Sequence, residues 1–173
     1  MAAPSNPFTI VFNGLWSCLE SNPNFVSDVP QGNRIKYNIP ANRDPIKLTV
    51  AAADLPEVVL VCTSAQAFLH DSSSTCKCIR GYSWLISTGD FRVNELLHQV
   101  EWDVFVGMFN WRKVMGALQW NGKSFVKRCD ITQITQGQSD KERNRGIEGW
   151  SAIWGCEVEM IFNNTDIAAI LGG

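Results

Sequence analysis

Between Gly149 and Phe162 the chain reads GWSAIWGCEVEMIF. Trp150, Ala152, Trp154, Cys156, Val158, Met160 and Phe162 fall on one side of an alternating pattern. Ser151, Ile153, Gly155, Glu157, Glu159 and Ile161 fall on the other. Strict alternation marks a half-buried β-strand, because successive side chains point to opposite faces. At about 13 residues the strand spans roughly 43 Å, against a usual strand of about 5–6 residues. The chain has 173 residues, and one domain of that length has a radius of gyration of roughly 16 Å. The final strand must therefore cross the whole domain, and any fold for this chain must be built along it.

The other elements are read around that strand. PFTIVFNGLWSCLE places Phe8, Val11, Phe12, Leu15, Trp16 and Leu19 on one helical stripe. The spacing predicts an amphipathic helix over 7–21, with Ser5 as its cap and Pro7 in its first turn. Residues 22–56 are rich in Pro, Asn and Asp, with NRIKYNI and KLTVAAA as short strands. PEVVLVCTSAQAFL and CKCIRGYSWLIST, separated by the turn-like HDSSST, predict a hairpin of two long strands. After TGD, with Asp90 as a cap, Val93, Leu96, Leu97, Val100, Val104, Met108, Trp111 and Met115 recur at spacings of three and four. They predict one helix of about 25 residues, ending near WNGK. SFVKRCDITQITQ reads as a strand, Gly137–Gly149 as a charged loop and TDIAAIL as a short capped tail. There is no β-α-β alternation, so a doubly wound parallel sheet is excluded. The expected fold is α+β, a single domain over 1–173. In it an antiparallel sheet carries two helices, N-terminal and long central, on one face.

Apolar residues make up 45% of the chain, enough for a real core, so a disordered chain is excluded. The net charge of −2 argues against non-specific nucleic-acid binding, which needs a basic excess. The N-terminus lacks a basic segment followed by an apolar run, and no apolar stretch is long enough to span a bilayer. A chain made in a cytoplasm is expected, with Cys18, Cys62, Cys76, Cys78, Cys129 and Cys156 as free, packed thiols.

Constellations that could carry chemistry are sparse. Cys76 and Cys78 form C-x-C, with Cys62 and His70 near in sequence, but zinc motifs space their ligands as C-x₂₋₄-C in two pairs. In a strand, C-x-C puts both thiols on one face, which suits packing. His98 with a cysteine and an acid such as Asp103 could form a nucleophile system, yet G-x-S-x-G, P-loop, G-x-G-x-x-G and H-E-x-x-H motifs do not occur. A helix-surface histidine is the expected role of His98, and neither enzymatic activity nor a metal or cofactor is expected. Of the seven tryptophans, Trp102 and Trp120 fit the apolar stripes poorly, which makes them interface candidates. The loop Gly137–Gly149 mixes Asp140, Lys141, Glu142, Arg143, Arg145 and Glu148, as a solvated or partner-ordered loop does.

The element order carries a resemblance. An N-terminal amphipathic helix leads to ADLPEVVLV, a strand ends in STGD and opens a long helix, and a charged loop precedes GWSAIWGCEVEMIF. Over roughly residues 7–162 this resembles the tail terminator, or tail completion, proteins of long-tailed bacteriophages. The resemblance implies a small α+β virion protein without enzymatic activity, synthesised in the host cytoplasm. It implies six copies in a ring that caps the tail tube and meets the head–neck connector, with DNA passing through the lumen. On that reading Lys141, Arg143 and Arg145 touch the tube protein, and Glu157 and Glu159 line the lumen or face a neighbouring subunit. The alternatives are another ring-forming neck or tail protein, or a monomeric protein-binding module.

Overall fold

The structure is a computed structural model that describes residues 6–35, 56–68, 74–88, 94–138 and 150–171. It is α+β. Helices α1 (Pro7–Glu20) and α2 (Pro23–Asp28) open the chain, and a 3₁₀ turn leads to β1 (Arg34–Ile35). Strands β2 (Glu57–Phe68) and β3 (Thr75–Thr88) follow, then helices α3 (Asn94–Phe109) and α4 (Trp111–Val114). A small hairpin, β4 (Gln119–Trp120) and β5 (Lys123–Ser124), precedes β6 (Val126–Gln138), β7 (Trp150–Asn163) and α5 (Asn164–Leu171).

The main sheet has the order β1-β2-β3-β7-β6. All its long neighbours are antiparallel, and only the two-residue β1 runs parallel to β2. The last long strand, β7, lies between β3 and β6. Its ladder with β3 runs without a register shift from Thr75↔Asn163 to Thr88↔Trp150. The shifts lie in the outer pairs, at Cys62/Ser64 in β2 and at Val126/Arg128 and Ile131/Gln133 in β6.

The expected faces of β7 hold. Ala152, Trp154, Cys156, Val158, Met160 and Phe162 are buried, while Glu157 is exposed and Glu159 and Ile161 are half-buried. Helices α1 and α3 cover this inner face, with Trp16 of α1 edge-on to Trp84 of β3 at 5.0 Å between centroids. The two helices cross closely at Gly107, where a Cβ would stand 2.9 Å from the Cα of Leu19. Only a residue without a side chain permits that approach.

Several local expectations are corrected. Asn6, not Ser5, caps α1. Pro7 occupies the first helical position, and the Asn6 side chain accepts from the Phe8 amide at 2.9 Å. The central helix is not continuous: α3 stops at Phe109 and α4 starts at Trp111, with Asn110 at φ −83° and ψ 5° between them. WNGK does not end a helix. It is the turn of the β4–β5 hairpin, with Asn121 and Gly122 both at positive φ (49° and 73°), which that tight turn demands. This hairpin tucks Trp120 into the core, edge-on to Phe162 at 5.4 Å, so Trp120 is no interface residue. Gly137 and Gln138 continue β6, paired with Ser151 and Trp150, rather than opening the loop. KLTVAAA, HDSS, Asp90 and Val93 lie outside the described residues.

Candidate assembly surfaces

The residues weighed for chemistry are scattered by the fold. His98 is exposed on α3, its Nδ1 3.4 Å from Glu101 Oε2. Glu101 is buried and accepts from Trp154 Nε1 at 3.0 Å, so it ties α3 to β7. Asp103, five residues beyond His98, is fully buried against α2 instead. Gln99 Nε2 lies 3.4 Å from its carboxylate, and Asn22 Nδ2 donates to its backbone carbonyl at 3.0 Å. Burial, then hydrogen bonding and charge repulsion from Asp28, push the Asp103 carboxyl up to about 6. His98 therefore pairs with Glu101 and not with Asp103.

The cysteines are free thiols in two groups. Cys18, Cys129 and Cys156 meet in the core, from α1, β6 and β7. Burial, with Cys129 adding, raises Cys18 to about 12. A hydrogen bond with Cys129, then burial, push Cys156 well above the ordinary thiol range. Thiols held protonated in this way are packing groups rather than nucleophiles. Cys62, Cys76 and Cys78 share the inner face with Arg80, which donates to Cys62 Sγ at 3.0 Å and stacks over Phe8 at 4.3 Å. A guanidinium among the three sulfurs opposes a cation there. Among the described residues no group of three or more His, Cys, Asp or Glu is placed to hold a metal. His70 lies outside them.

Three surfaces remain. The first is the outer face of the sheet, which divides along β7. One end carries Glu157 and Glu159, opposite Asp130 and Arg128 of β6. Glu159 lies 3.8 Å from Lys77, and Arg128 pairs with Asp130. Near-balanced charge, not an acidic field, marks this end. The other end is apolar and covered: Val59, in line with Leu85 and Ile153, is buried, as is Val61, opposite Ser83.

The second surface is the rim of β6. This strand has 13 residues, and among the described residues no strand pairs with its outer side. Backbone N–H and C=O groups on such a rim are a template for another chain. Ile131 and Ile134 stand on β6, 37% and 53% exposed, opposite Cys156 and Trp154 in register.

The third is the solvent side of α3, where Trp102, Phe105, Val106 and Phe109 are exposed. Trp102 is thus the surface tryptophan that the sequence suggested. Phe105, Val106 and Phe109 were not singled out, although 102, 105, 106 and 109 form a second helical stripe at spacings of three and four. Lys141, Arg143 and Arg145 lie outside the described residues. No described helix is long and apolar enough to cross a membrane. In comparisons with known proteins, no family model matches this chain and no curated protein matches it.

Proposed function

We propose that this chain is a structural ring subunit of a long-tailed phage virion, a tail terminator that caps the tail tube and joins it to the head–neck connector. The observation that carries the reading is the rim of β6, 13 residues long, unpaired among the described residues and bearing exposed isoleucines. Such a rim is normally shortened, charged or covered. A neighbouring subunit that covers it, repeated head-to-tail, closes a ring. The α+β fold and the order of its elements fit the same reading. The mixed-charge end of the outer face, where Glu157, Glu159 and Asp130 outnumber Lys77 and Arg128 by one, suits a wall past which DNA slides without sticking. The loop with Lys141, Arg143 and Arg145 reaches the tube subunit in this scheme.

The test is genetic and structural. Antibody-gold labelling of purified virions should mark the head–tail junction. A null mutant should make overlong tails or tails without heads. Replacing residues 139–146 by a Gly/Ser linker should leave the melting temperature unchanged and reproduce the null tails. Virions free of the protein, or normal tails from the null, would sink the reading. The rim of β6 equally accepts a peptide strand, the mode of a monomeric protein-binding module. Virions that lack the protein, with a monomer captured by an extended peptide, would favour that second reading.

A further inference from the structure

Four large apolar side chains stand on the solvent side of α3: Trp102 at 58% exposure, Phe105 at 39%, Val106 at 37% and Phe109 at 81%. Two of them are held by ring contacts. The rings of Trp102 and Phe105 stack at 5.5 Å, and Phe105 leans edge-on against the buried Trp154 at 6.2 Å. A rigid aromatic stripe in water is the usual core of a protein interface. Its charges are ordered as well. Glu95 is exposed in the first turn of α3, and Arg112 and Lys113 are exposed in the turn after Phe109. Exposed charge thus flanks the stripe, an acid on the first turn of α3 and two bases on α4 beyond the break at Asn110.

We infer that this face of α3 is a self-association surface, on which a second copy of the chain docks with its own α3 antiparallel. A two-fold axis midway between Trp102 and Phe105 sets each Trp102 against Phe105 of the other copy. The same axis carries each Glu95 to the end of α3 from which α4, with Arg112 and Lys113, continues in the other copy. A parallel arrangement sets like charge against like and loses this match. Two-fold pairing is also the commonest form of self-association, because one patch serves both partners. The pair uses α3 and leaves the rim of β6 open, so it does not depend on the ring contact proposed above.

Light scattering after gel filtration and sedimentation equilibrium of the full chain test the inference. The protein should run at twice its 19.3 kDa mass, with a dissociation constant below about 100 µM. Phe109→Asp should weaken the dimer at least about tenfold without changing the circular dichroism spectrum. Glu95→Arg alone should weaken it by roughly fivefold, and Glu95→Arg combined with Arg112→Glu and Lys113→Glu should restore it. The reversal set involves exposed positions only, so it decides the matter even where Phe109→Asp disturbs folding. A monomer at about 100 µM overturns the inference. So does a larger ring that Phe109→Asp dissolves, since that is head-to-tail use of the face. A dimer indifferent to Phe109→Asp, or a triple variant that stays dissociated, overturns it equally.

Discussion

The two sides of α3 are both apolar, yet they do different things. Leu97, Val100, Val104 and Met108 face the sheet and are buried. Trp102, Phe105, Val106 and Phe109 face solvent. The inner side makes the fold: Gly107 lets α1 approach, and Glu101 receives the Trp154 indole. On the outer side Trp102 stacks on Phe105, and Phe105 leans on Trp154. Hydrophobicity alone therefore does not locate the core. A helix that is apolar around most of its circumference is normally buried on every side. Here one side is left for something outside the subunit, and the larger, aromatic residues stand on that side.

Stability measurements can break this comparison, and the largest effect belongs to the inner side. Trp154→Ala should cost about 3–5 kcal/mol in urea denaturation, because it opens a cavity and removes a donor from the buried Glu101. A loss under about 1 kcal/mol would mean that α3 does not depend on β7. Gly107→Ala comes next, at about 1–3 kcal/mol, because the new methyl meets the backbone of Leu19 at 2.9 Å. A neutral result there would show that α1 and α3 slide apart freely.

Asp103 sharpens the comparison from within the inner side. Its carboxyl is raised from 3.8 to about 6, first by burial and then by Asp28. The unfolded chain releases this proton near pH 4 and the folded chain near pH 6. Between those values the folded state binds more protons, so stability falls as pH rises from about 4 to 6 and then levels. Asp103→Asn should flatten that slope and add about 1–2 kcal/mol at pH 7. Denaturation midpoints at pH 4, 5, 6 and 7 measure both; an unchanged slope would place the titrating group elsewhere. The smallest effects belong outside. Phe109→Ser and Glu157→Gln should each stay within about 0.5 kcal/mol of the parent in dilute solution. A large loss at Phe109 would make the outer side of α3 part of the fold after all.

The sequence reveals those parts of the fold that repeat one period for several turns. β7 alternates over its whole length, α1 keeps a single stripe, and β2 and β3 are bounded by turn residues. Short elements have no room for a period. The two-residue strands of the β4–β5 hairpin show only their Asn-Gly turn, and the helical spacing carried past Asn110 by Trp111 and Met115 hides the break. Trp120, on a two-residue strand, belongs to no such period. The solvent stripe of α3 was obscured by its own inner stripe: with apolar residues on two sides, the stronger pattern absorbs attention and Trp102 alone looks out of place. The end of β6 carries no signal of its own, because TQGQ is polar throughout and its pairing comes from β7.

The placement of the register shifts bears on how such a chain can change over generations. The β3–β7 ladder keeps one register over 14 residues of each strand. Deleting one codon in the middle of either strand would turn half of it inside out, sending Cys156 or Trp154 toward water and Glu157 or Glu159 toward α1 and α3. No local repair exists for that error. β2 and β6 already contain an unmatched residue where Cys62/Ser64 and Ile131/Gln133 break the pattern. Another residue gained or lost there can be taken up by moving or merging a bulge. The margins of this sheet are thus where length can drift, and its two central strands hold the molecule to a fixed gauge.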